Sequence, residues 1–159
     1  MQELSRLPPE IQRALGGEAF RRRRRIVLPF LTADPGGFPR AALLAAGEVR
    51  ATSPTALAIA VRAGSRTALN LIRRRQATLL YLQRNVAASI RVRAGRGRTS
   101  RHDPDRTIFP LSVYRVRFDH AAPVEGNVAL LAGPSFSGTG ARALFSEELY
   151  AELGGLDGA

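Results

Sequence analysis

Apolar and polar residues alternate along most of this chain in short runs separated by turn residues, the pattern of strands. Residues 26–31 read as a first strand. Asp34-Pro-Gly-Gly-Phe-Pro39 has the strongest turn chemistry in the chain and closes a hairpin. Residues 40–49 are almost continuously apolar, as a strand covered on both faces requires. After a turn at Ser53 and Pro54, residues 56–61 form a third strand. The period then changes to helical over 66–75, with Ala68, Leu69, Leu71 and Ile72 on one face. Residues 77–83 make a fourth strand and 88–98 a fifth, in which Ile90 and Val92 alternate with Arg91 and Arg93 to leave one wet face. A polar loop over 99–106 precedes a sixth strand, strongest at 113–118. Short helices flank this set: one within 4–19, carrying Ile11, Ala14 and Leu15 behind Pro8 and Pro9, and one over 140–153, carrying Leu144, Leu149 and Leu153. Residues 121–138, rich in Gly, Pro and small side chains, receive no element.

The expectation is a mainly β fold: a six-stranded β-barrel with peripheral helices. One domain spans 1–159, with a helix and basic arm at 1–25, the barrel core at 26–120, and a loop and helix at 121–159. At 159 residues and 45% apolar composition the chain can bury a substantial core. It has no cysteine, which excludes disulfides and thiolate metal sites. The run 26–33 is too short to cross a bilayer. Arginines 21–25 precede an apolar run broken by Pro29 and followed by a hairpin, unlike an export signal, so a cytoplasmic protein is expected. The formal net charge is +11, and every basic residue is arginine. Such a chain attracts polyanions in general. The arginines are dispersed, however, and accompany no nucleic-acid-binding motif, so a solvated basic surface is the simpler reading.

Few constellations promise chemistry. His102, Asp103 and Asp105 share a polar loop without the spacing of a metal site. His120 ends a strand, and Glu147 and Glu148 read as a solvated helix face. Gly133-Pro-Ser-Phe-Ser-Gly138 satisfies neither the nucleophile elbow nor the P-loop. The informative segment is residues 60–74, where an apolar strand ends, Gly64 and Ser65 turn the chain, and a helix starts at once. Such a junction aims free N–H groups and the positive end of a helix dipole at one point, which favours an anion. Arg66 adds a fork of donors suited to phosphate. Ser65 can equally be a plain N-cap. Arg40, opening an otherwise apolar strand, needs a partner or solvent, and it would converge with Arg66 on one anion if its strand lies beside the junction.

The runs Pro39-Arg-Ala-Ala-Leu-Leu44, Ala58-Ile-Ala-Val61 and Gly64-Ser-Arg-Thr-Ala-Leu-Asn-Leu71, in this order, resemble the pyridoxamine 5′-phosphate oxidase-like FMN-binding split barrels over residues 26–120. The resemblance implies that Arg40, Ser65 and Arg66 bind the FMN phosphate. It places Arg40, Ala41, Ala42, Leu43 and Leu44 along the isoalloxazine ring, and Ala60 and Val61 beside the cofactor. Ser89 falls where the family often has a glutamine that reaches the flavin from the partner subunit. A homodimer with interfacial flavin sites is implied. Thr67 stands where the oxidases carry lysine, leaving a hydroxyl for a charge. The chain lacks the C-terminal arginine-rich substrate signature, so oxidation of pyridoxamine phosphate is not expected. The implied function is that of an FMN- or deazaflavin-dependent oxidoreductase acting on a small molecule, with no catalytic residue named. The alternatives are a non-catalytic flavin, deazaflavin or haem-binding module, or a polyanion-binding protein acting through arginines 21–25.

Overall fold

The computed structural model describes residues 3–17, 22–23, 25–119, 130, 132–135, 137 and 146–155. The strands are β1 (Glu3–Leu4), β2 (Val27–Ala33), β3 (Pro39–Ala45), β4 (Val49–Ser53), β5 (Ala56–Arg62), β6 (Gln76–Gln83), β7 (Val86–Ala94), β8 (Arg98–Thr99) and β9 (Arg106–Asp119). The helices are α1 (Pro9–Leu15), α2 (Arg66–Arg74) and α3 (Glu147–Gly154). All strands belong to one antiparallel sheet in the order β3-β2-β6-β7-β9-β5-β4, with β1 and β8 added on β9.

The six expected strands are all present, and the second is divided. Residues 40–49 read as one apolar run, but a 3-10 turn at Ala46–Glu48 separates β3 from β4. Those two strands lie at opposite ends of the sheet order, so a three-residue turn joins the two edges. The sheet must therefore curl until its ends meet, which makes the half-barrel. Glu48 fixes the turn. It is buried, accepts a bond from the Ala45 N–H at 2.8 Å, and pairs with Arg106 of β9. A buried carboxylate needs such partners, and here they tie the edge turn to the middle of the sheet.

The concave face holds the core. Phe30, Leu79, Ile90, Phe109 and Ile59 are almost wholly removed from water, each contributing about 1.5–3 kcal/mol of hydrophobic stabilisation. Helix α2 closes one part of it with Ala68 and Leu71, and α1 adds Ile11, Ala14 and Leu15. Strand β5 is buried on both faces. Its Ala58 and Ala60 form a second cluster with Ile108 and with Leu149, Tyr150 and Leu153 of α3. The small alanines let the helix approach the sheet closely.

The described part of the last helix begins with Ser146 as N-cap, accepting from the Leu149 N–H at 3.1 Å. Leu144 and the rest of the expected helix before it lie outside the described residues, as does His120. Among the described residues no helix is long and apolar enough to cross a membrane, and no cluster of potential metal ligands occurs.

Candidate functional site

The β5–α2 junction has the local geometry that its residues dictate. The Ser65 N–H donates to the Arg62 carbonyl at 3.2 Å, closing a four-residue turn with Gly64 at φ +70 in the third position. That is the left-handed position of a type II turn, where glycine is favoured. Ser65 then caps α2: its hydroxyl oxygen accepts from the Ala68 N–H at 3.2 Å, and its carbonyl accepts from Leu69 N–H at 2.9 Å. The helix has four orphan N–H groups at its start, and these bonds leave those of Arg66 and Thr67 without a partner among the described residues. The expected N-cap role of Ser65 and the free donors coexist.

Arg66 is exposed and has no ion pair or hydrogen bond among the described residues. Thr67 is buried, so its hydroxyl does not replace the exposed charge of a lysine at this position. Two residues missed by sequence reasoning anchor the helix. Asn70 Nδ2 donates to Thr32 Oγ1 at 3.0 Å and to Asp34 Oδ1 at 3.1 Å. Arg74 donates to the Pro35 carbonyl at 3.0 Å. A polar Asn between buried Ala68 and Leu71 was the available signal, because such a residue must find partners.

This brace settles which way Arg40 faces. Thr32 lies directly opposite Arg40 in the β2–β3 ladder, and residues directly opposite share a face of the sheet. Thr32 points at α2, so Arg40 rises on the side of the sheet that α2 occupies, exposed and without an ion pair among the described residues. Ala42 and Leu44 follow on this face, while Ala41 and Leu43 point outward, and Leu43 is 59% exposed. Ala60 is enclosed against α3, and Val61 is in the main core, so neither side chain is open to a ligand. Ser89 is half-buried on β7, opposite Leu80 and Arg117, on the outward face.

By sequence, no family model and no curated protein matches the chain. By structure, it is similar to a candidate pyridoxamine 5′-phosphate oxidase from Lactobacillus delbrueckii, with a TM-score of 0.55 and 16% identity over 74% of this chain and 99% of that one. It is also similar to an FMN-binding protein from Syntrophomonas wolfei, with a TM-score of 0.54 and 10% identity over 71% and 91%. The chain has the fold of the pyridoxamine 5′-phosphate oxidase-like split barrels. An F420 reductase shares the split barrel over 60% of this chain and 91% of its own, with a TM-score of 0.51 and 9% identity. At these identities the likeness is one of fold. The start of α2 combines a helix N-terminus with the exposed Arg66, Arg40 lies on the same side of the sheet, and such groups can hold a phosphate.

Proposed function

We propose that this split barrel binds a flavin-type cofactor, FMN or a deazaflavin, by its phosphate at the start of α2. We further propose that it acts as a dimeric oxidoreductase on a small molecule. The observation that carries the proposal is the Gly64–Thr67 junction: among the described residues the Arg66 and Thr67 N–H groups have no partner, Arg66 is exposed and uncommitted, and Arg40 lies on the same side of the sheet as α2. Nothing in it needs a lysine at position 67. The solved FMN-binding protein and F420 reductase of the same fold support the cofactor class. A bound flavin supplies hydride chemistry, and the protein supplies binding and orientation, which agrees with the lack of an acid–base pair or nucleophile in the motifs. The residues themselves perform simpler tasks. Ser65 and Gly64 shape the backbone cradle, Arg66 and Arg40 neutralise the phosphate, and Asn70 holds α2 at its distance from β2. The exposed apolar residues Phe38 and Leu43, 75% and 59% accessible, support a second copy of the chain as partner.

Titration of the flavin-free protein with FMN and with riboflavin tests the proposal. Arg66→Ala should weaken FMN roughly tenfold or more, the value of a charge-assisted contact, and leave riboflavin unchanged. Equal losses would remove Arg66 from the phosphate site, and no binding of either flavin or of a deazaflavin would sink the cofactor reading. Turnover of a reduced nicotinamide by the loaded protein separates a reductase from a carrier.

A further inference from the structure

The outward face of the sheet carries a feature that the proposed phosphate grip does not use. A cavity of about 510 Å³ lies where the β2–β3 hairpin meets β6 and β7. Its floor can be read from the ladder. Leu31 pairs with Thr78, and Thr78 with Arg91, so these three form one row on the outward face. The row is apolar on β2, polar on β6 and cationic on β7. A neighbouring stretch repeats the gradient from Pro39 and Ala33 to Arg93. The lining includes two arginines and, among the described residues, no carboxylate. Arg91 has no hydrogen bond or ion pair among the described residues.

A second irregularity prepares the cationic end. The β7–β9 register passes from Arg91 opposite Arg115 to Val92 opposite Val113, so β9 holds one extra residue there. Val113 and Val116 both point inward, and Tyr114 and Arg115 therefore share the outward side where a regular strand places one residue. The bulge leaves the Tyr114 ring half exposed at the cavity edge, with the Arg93 guanidinium 5.1 Å and the Arg115 guanidinium 5.4 Å from its centroid. Cation–π contact holds a flexible arginine in place without neutralising it, and bulges commonly re-aim side chains for a site.

We infer that this cavity binds a small organic anion. Its carboxylate or phosphate sits on the guanidiniums of Arg91 and Arg93, and its apolar body lies on Leu31, Ala33 and Pro39. The site is separate from the phosphate grip, since Arg40, Ser65 and Arg66 do not line it. The two arginines, two residues apart on one strand face, suit an oxyanion, and the apolar half of the floor rejects a bare hydrated ion.

Calorimetric titration of the flavin-free full chain with benzoate and phenyl phosphate tests the inference. Saturable binding of both is expected, with acetate and inorganic phosphate at least tenfold weaker because they lack an apolar body. Arg91→Gln with Arg93→Gln should weaken the aromatic anions about tenfold or more, and Arg91→Lys with Arg93→Lys should retain most of the affinity. Ala33→Asp, which adds a carboxylate and removes no contact of the arginines, should abolish binding. Absence of saturable binding, or unchanged binding in the glutamine variant and in Ala33→Asp, overturns the inference. So does equal loss in Arg66→Ala, which would place the anion at α2. FMN affinity in the glutamine variant reports on the phosphate grip separately, so the two readings can fail independently.

Discussion

Gly64 and Ser65 set the geometry of the α2 start by different means, and their substitution should separate backbone shape from capping. Gly64 has φ +70 and nothing within 4 Å of where a Cβ would stand, so alanine meets no steric neighbour and the whole cost lies in the left-handed backbone. That cost is about 1–2 kcal/mol, and Gly64→Asn should recover part of it because Asn tolerates this conformation. Ser65→Ala removes the acceptor for the Ala68 N–H and should cost about 1 kcal/mol. Urea denaturation measures all three. An unchanged midpoint for Gly64→Ala would show that the turn does not require its glycine. These residues were legible in the sequence because a Gly-Ser pair between an apolar strand and a helical pattern has few local solutions. The inward direction of Thr67 was not legible, since it depends on how α2 rolls against β2, and that roll is set by Asn70, Thr32 and Asp34 across 36 and 38 residues of chain.

Helix α3 is held to the sheet by a polar clasp as well as by its apolar face. Burial alone would raise the pKa of Glu152. Bonds from Arg98, from the Ser100 hydroxyl at 2.6 Å and from the Arg101 N–H at 2.9 Å outweigh it and lower that pKa to about 2. A carboxylate with a folded-state pKa below its unfolded value binds protons less readily when folded. Its stabilisation is therefore fully present above about pH 4.5 and is lost as pH falls toward 2. Arg98 is partly exposed and screened, so the contribution is roughly 1–2 kcal/mol. Acid unfolding of Glu152→Gln should thus show a shallower fall in stability between these pH values than the parent. Parallel curves would mean that Glu152 has an ordinary pKa. Elsewhere on α3, Arg50 lies over the Tyr150 ring at 4.8 Å and donates to its carbonyl, and the Tyr150 hydroxyl donates to the Leu15 carbonyl. Sequence periodicity identified Leu149 and Leu153 as the buried stripe, yet Glu152 lies beside that stripe and reads as surface. Its role arises from a loop fifty residues earlier in the chain, which no local pattern reports.

At the scale of the molecule, strand existence was legible and sheet closure was not. The apolar run at 40–49 carries no Gly or Pro until Gly47, so it reads as one strand, whereas its halves occupy the two edges of the sheet. Closure depends on Glu48 finding Arg106, a pairing of distant residues. Charge is the other global property. The chain has 24 basic and 13 acidic residues, and few of the described arginines are in ion pairs. Self-repulsion should therefore outweigh surface attraction and destabilise the folded state at low ionic strength. Raising salt to near-physiological levels shortens the Debye length to about 8 Å and should raise the melting temperature. Each 1 kcal/mol of relief corresponds to about 2–4 °C for a chain of this size. If surface ion pairs dominated, added salt would lower the melting temperature. Sulfate compared with chloride at equal ionic strength sharpens the test, because general screening is then matched. An increment specific to sulfate combines its general exclusion from protein surfaces with any binding of a divalent anion to the folded protein, which stabilises by mass action. Loss of part of that increment in Arg66→Ala would assign the lost part to the start of α2, and an unchanged increment would show no sulfate binding by Arg66.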